Sequence, residues 1–139
     1  MSRLLKFAAL AGAVGAVVTL TAAASPLALG SVSPGLWEVS GVPGARGPVQ
    51  QCVADVALLA QFEHRGQNCT RSVISSDSAS TVIHYRCSGG GFGESKLTVI
   101  TPRSLRIETQ GISDNFPFNY VVQARRVGDC PGKQSASAH

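Results

Sequence analysis

Hydrophobic and polar positions alternate with a period of two over most of the second half of the chain. Ile83, Tyr85 and Cys87 fall on one side of an extended segment, and Val82, His84 and Arg86 on the other. Leu97 and Val99, then Leu105 and Ile107, continue the alternation across the turn sequence Thr101-Pro102-Arg103-Ser104. The longest row is Phe116, Phe118, Tyr120 and Val122, predicted to face inward, with Asn119, Val121, Gln123 and Arg125 facing out. Successive side chains of a strand point to opposite faces, so this pattern describes strands that bury one face. Upstream, Leu36 to Val42 (LWEVSGV) reads as a short strand with Trp37 and Val39 on one side and Leu36 and Glu38 on the other. Gly41 to Pro48, with three glycines and two prolines, is a loop, and Val49 to Val53 a second strand.

One segment changes period. Asp55 is placed to cap a helix whose apolar residues Leu58, Leu59 and Phe62 recur at three- and four-residue steps, ending near Gly66. Strands punctuated by Gly and Pro turns around one short helix predict a mainly β domain. Its expected form is a curved antiparallel meander sheet, or a small barrel, of about six to eight strands.

The first residues do not belong to that pattern. Arg3 and Lys6 precede an uncharged run, Phe7 to Ala24, and small residues follow at Ala22-Ala23-Ala24 and again at Ala28-Leu29-Gly30. This is the layout of a secretory signal peptide, cleaved after Ala24 or Gly30. The expected organisation is a signal over residues 1–30, a domain over 31–131 and a disordered tail over 132–139. The whole chain has 139 residues, of which 44% are hydrophobic and 14% charged, enough for one modest core. With Arg3 and Lys6 gone, 10 basic residues face 8 acidic ones, a net charge of +2. The remaining bases are spread among the acids, without the concentrated stripe that nucleic-acid binding requires. No membrane span is expected once the signal is removed.

Cys52, Cys69, Cys87 and Cys130 all lie in the domain, an even count that implies two disulfides in an exported protein. Spacings of 17, 18 and 43 residues lack the close knuckle of a zinc site. Folding CTRSVIS against STVIHYRCS antiparallel sets Cys69 opposite Cys87, which leaves Cys52 for Cys130.

Other motifs carry little chemistry. Ser88-Gly89-Gly90-Gly91-Phe92-Gly93 lacks the Lys-Ser/Thr of a phosphate loop and leads into a strand, so it reads as a hairpin loop. Asn68-Cys69-Thr70 formally matches a glycosylation acceptor, but Cys69 is better used in a disulfide. His64, His84 and His139 share no ligand spacing and are expected to face solvent. The acids are scattered singly and there is no nucleophile motif, so the domain is read as non-enzymatic, without catalytic residues, metal or cofactor. Gly35-Leu36-Trp37 is similar to the G-x-W of lipocalins, where the tryptophan closes a ligand-holding barrel, although a core tryptophan is the simpler reading.

Several of these residues also combine into one resemblance. Pro34-Gly35-Leu36-Trp37-Glu38 resembles the opening of the bacterial domain of unknown function 3617 family. So do Cys52 before a short helix, Cys69, and Cys87 followed by glycines. Arg126-Val127-Gly128-Asp129-Cys130-Pro131 is similar to the ending of that family. The late strands depart from the family pattern, carrying KLTVI and SLRIET in place of Thr- and Met-rich segments. The resemblance implies an exported protein of Gram-negative bacteria, hence periplasmic, and implies no activity.

Three functions then compete. The first is a binding or envelope-maintenance module facing an envelope protein. The second is a lipocalin-like carrier of a small apolar ligand, lined by Trp37, Phe116, Phe118 and Tyr120. The third is an inhibitor of a periplasmic or extracellular hydrolase, presenting loops such as Gly41–Pro48 or Ser88–Gly93. A domain this small has little apolar volume to spare, so a filled core is expected in preference to a pocket.

Overall fold

The computed structural model describes residues 27–132. The proposed signal as far as residue 26, and the tail from residue 133, lie outside them. Seven strands form one antiparallel sheet: β1 (Gly35–Ser40), β2 (Val49–Val53), β3 (Cys69–Ser76), β4 (Ser80–Cys87), β5 (Phe92–Thr101), β6 (Ser104–Ser113) and β7 (Phe116–Gly128). Their order across the sheet is β2-β1-β7-β6-β5-β4-β3. Of the two expected forms, the structure takes the open sheet, with β2 and β3 as its edges. Strands β3 to β7 are a meander, and β7 returns to pair with β1. The connection from β2 to β3 therefore runs from one edge to the other, and the short helix Val56–His64 lies on it.

That helix packs against β4, β5 and β6 and closes the inner face of the sheet. Its cap is the expected one, since the Asp55 carboxylate accepts from Ala57 N at 2.9 Å. The winding is 3₁₀ rather than α, with a break at Gln61 (φ −98°, ψ 30°). Three residues per turn stack Val56, Leu59 and Phe62 on one side, and these three are buried while Leu58 is only partly so. Beneath them sit Trp37, Val39, Val53, Ile83, Leu97, Leu105, Ile107, Val122 and Ala124, the inward positions of β1, β2 and β4 to β7. Among the described residues no helix is long and apolar enough to cross a membrane.

Both disulfides pair as the sequence suggests. Cys69 and Cys87 stand opposite each other in the β3–β4 register, with Cα atoms 3.9 Å apart. Cys52 and Cys130 tie β2 to the segment after β7, with Cα atoms 5.5 Å apart. The turns follow local chemistry. Asp114 and Asn115, at φ 49° and 65°, make the two-residue β6–β7 hairpin, a conformation that Asn and Asp tolerate. In the β3–β4 turn Asp77 accepts from Ala79 N and Ser80 N, both at 2.8 Å, and those bonds hold its carboxyl below the usual carboxylate range.

Candidate functional site

Each predicted ligand-lining residue can now be placed. Trp37 is fully buried on β1, its indole N–H donating to Ser33 O at 3.3 Å. Trp37 stands opposite Arg126 of β7, which is roughly 20 Å along that strand from Tyr120. Tyr120 and Phe118 are half-buried and their rings meet at 5.9 Å. Phe116, assigned to the same inward row, is 73% exposed. The structure thus joins Phe118 and Tyr120 at one end of β7 and sets Trp37 at the other. The four do not surround one cavity.

What Phe118 and Tyr120 meet is the C-terminal end of the helix. Tyr120 Oη donates to Glu63 Oε2 at 2.7 Å. Burial, together with the bond to and charge of Glu63, pushes the Tyr120 phenol well above the usual tyrosine range. His64 corrects a sequence expectation, for it does not face solvent and is 2% exposed. Its Nδ1 lies 3.0 Å from Tyr85 Oη, and its ring stands edge-on to Tyr85 and Phe118. Burial and the negative charge of Glu63 raise the Tyr85 phenol as well, while a hydrogen bond from Thr109 opposes them. Ser95 continues this polar seam, its hydroxyl 2.5 Å from Ala60 O and 2.7 Å from Thr109 Oγ1. The seam fastens the helix to the middle of the sheet. The Tyr120 phenol donates to the Glu63 carboxylate, and Tyr85 and His64 share a hydrogen bond whose direction follows the imidazole tautomer.

Glycines make room for this arrangement. A β-carbon on Gly91 would overlap the His64 imidazole, and one on Gly93 would lie 2.6 Å from Tyr85 Oη. Gly91 belongs to the stretch read as a hairpin loop, and a hairpin it is. The sequence signal for the buried seam was present in Gly93 and Gly111, glycines inside strands, which mark close approach of other atoms. His84, by contrast, sits half-buried on the outer face, and His139 lies outside the described residues. Among the described residues, no three His, Cys, Asp or Glu side chains converge as metal ligands.

The outer face carries a different feature at the same end of the sheet. Phe92, Ile112 and Pro117 are directly opposite one another across β5, β6 and β7, with Arg86 next in the row on β4. The adjacent row is polar: His84, Glu94, Gln110 and Asn119. Phe92, Ile112, Pro117 and this polar row line an open recess of about 510 Å³. Phe92 is 42% exposed, whereas the exposed Phe116, paired with Ser113, has the opposite parity and does not belong to the recess. Of the residues predicted to line a ligand, Phe118 also borders this recess. Sequence reasoning missed Phe92, Ile112 and Pro117 because they sit at outward positions of strands, where they look like lapses in the alternation.

A family model described as a protein of unknown function, DUF3617, matches residues 32–130, a span holding all seven strands, the Val56–His64 helix and both disulfides. No curated protein and no solved structure matches the chain. With its strands, helix and cysteines all inside the matched span, the chain belongs to the DUF3617 family.

Proposed function

We propose that the protein is an exported, non-enzymatic binding module that meets an envelope partner through the outer recess at Phe92, Ile112 and Pro117. One contrast carries the reading. The inner face is closed by the helix over fully buried side chains, whereas apolar rings at the open end of the sheet turn outward beside a polar row. Exposed apolar residues gathered beside polar ones are the usual mark of an interaction surface. This favours a surface binder over an internal carrier of an apolar molecule. Inhibition of an envelope or extracellular hydrolase is one form of the same reading, because the Ser88–Gly91 loop leads directly into Phe92 at the recess.

Export is supported by two disulfides in a domain this small, the pattern of oxidising compartments such as the periplasm. Ala28 and Leu29 are buried, and Leu29 belongs to the core cluster. Cleavage after Ala24 keeps them, whereas cleavage after Gly30 would strip them away, so the mature protein is expected to begin at Ser25.

Titration of an apolar fluorescent dye against the mature protein tests the recess. Phe92→Ser should weaken dye binding severalfold without changing the thermal midpoint, since that side chain is exposed. Dye binding that ignores this change and instead responds to Tyr120→Phe would transfer the site to the inner face and restore the carrier.

A further inference from the structure

β3 ends the sheet, so one of its edges pairs with β4 and the other pairs with no strand of the described residues. The register identifies which residues use that second edge. Ser88 N donates to Asn68 O at 2.9 Å, one step beyond the Cys69–Cys87 pair, so positions 68 and 88 form a hydrogen-bonded pair. Bonded and non-bonded pairs alternate along an antiparallel ladder. Thr70–Arg86 and Ser72–His84 are therefore bonded pairs, and Cys69–Cys87, Arg71–Tyr85 and Val73–Ile83 are not. The close approach of the Cys69 and Cys87 Cα atoms, 3.9 Å, agrees with a non-bonded pair. It follows that the N–H and C=O groups of Cys69, Arg71 and Val73 point away from β4, until the bulge after Val73 interrupts the row.

The open edge faces a cleft of about 750 Å³, a seam between β3 and the segments 29–34 and 54–57. Cys69, Arg71 and Val73 line one side of it, and Leu29, Val32 and Val56 are among the residues of the other. Thr70 lines it too. Consecutive strand residues point their side chains to opposite faces, so what residues 69 to 71 share is the backbone edge itself.

We propose that this seam takes a single extended segment of a partner protein, added to β3 as an eighth strand. The outward backbone groups of Cys69, Arg71 and Val73 would pair with its main chain. Its alternate side chains would lie on the apolar wall. The ionisable residues of the cleft are Asp55 and Arg71, one of each sign, and both are engaged: Asp55 with Ala57 N and Arg71 with Gln61 Oε1. The segment that fits is therefore uncharged, with apolar residues at every second position and no proline at the pairing positions.

Two other occupants fit worse. A second folded copy pairing through its own β3 would bring a whole sheet against the wall of residues 29 to 34 and 54 to 57. The N-terminus of this chain, cut after Ala24, leaves only Ser25 and Pro26 ahead of Leu27, about 7 Å of backbone. The row from Cys69 to Val73 spans about 13 Å. The seam is separate from the outer recess, and the two sites stand or fall independently.

The test uses the mature protein and a seven-residue peptide of alternating Thr and Val, capped at both ends. Binding is followed by NMR titration and amide exchange. Saturable binding is expected, with exchange slowing at Cys69, Arg71 and Val73 while Thr70 and Ser72, already bonded to β4, change little. N-methylation of the peptide at its pairing positions should weaken binding at least tenfold. Arg71→Pro, which removes an outward N–H and no bond to β4, should do the same, and Phe92→Ser, in the outer recess, should have no effect. Absence of saturable binding would overturn the proposal, as would binding indifferent to N-methylation. Loss of binding in Phe92→Ser would move the peptide to the outer recess and also overturn it. Concentration-dependent dimerisation that protects β3 amides without peptide would replace the segment by a second copy.

Discussion

The two ends of the inward row on β7 obey one alternation and meet different fates. Val122 and Ala124, at the end where β1 pairs, are 1% exposed beneath the helix. Phe118 and Tyr120 come next, half-covered by the helix end at His64 and Glu63. Phe116 lies one pleat further on, about 7 Å beyond Phe118, past that cover. Strand parity sets the direction of a side chain. What lies above it sets the depth. A disulfide fastens each end as well: Cys52–Cys130 beside the covered end, where Leu36 pairs with Cys52, and Cys69–Cys87 beside the open one.

The largest effect should come from those disulfides, and it should be unequal. In the chain-entropy model, opening the 78-residue link of Cys52 and Cys130 costs about 4.5 kcal/mol and the 18-residue link of Cys69 and Cys87 about 3 kcal/mol. Urea melts of the two double Cys→Ala variants measure the order, and a reversed order would show that loop length does not govern the difference between the ends.

The packing contrast comes next. Phe62→Ala, on the buried side of the covering helix, should cost about 3–5 kcal/mol, whereas Phe116→Ala should stay within about 0.5 kcal/mol. Phe118→Ala should fall between them. Equal losses at Phe62 and Phe116 in chemical denaturation would break the distinction between buried and open ends.

A smaller effect is expected where the helix end meets the sheet. Gly91→Ala forces the His64 ring to shift, an overpacking that costs about 1–3 kcal/mol. The denaturation midpoint should fall, and His64→Ala in the same background should recover part of the loss. No recovery would mean that the ring is not what Gly91 accommodates.

The mildest test is alkaline. Tyr85 and Tyr120 titrate above the ordinary tyrosine range in the folded state, so their protonated forms are favoured by folding. That contribution is fully present below about pH 10, the unfolded value, and is lost as pH rises beyond it toward the folded values. Stability should hold level from pH 7 to 9 and then decline, less steeply in Tyr120→Phe. Spectrophotometric titration showing both phenols ionising near pH 10 would remove the basis of this prediction.

Much of the architecture was legible in local sequence. Period-two alternation identified the strands and their faces, and an even count of cysteines in facing segments gave both bridges. Asp55 announced its helix, and the opening and closing motifs pointed to the family whose model spans residues 32–130. These features depend on neighbours in the chain. The depth of Phe116, the burial of His64 and the choice of an open sheet do not. The break at Gln61 shifts the phase of the helix so that His64 turns inward where a regular three-residue step would have brought Arg65. Phe116 is exposed because the helix stops short of it, and the seam stays open because the β2–β3 connection crosses the inner face instead of pairing the two edges. Alternation along a strand assigns a side chain to a face, but its cover comes from a segment more than fifty residues away. Only the folded chain decides where that cover ends.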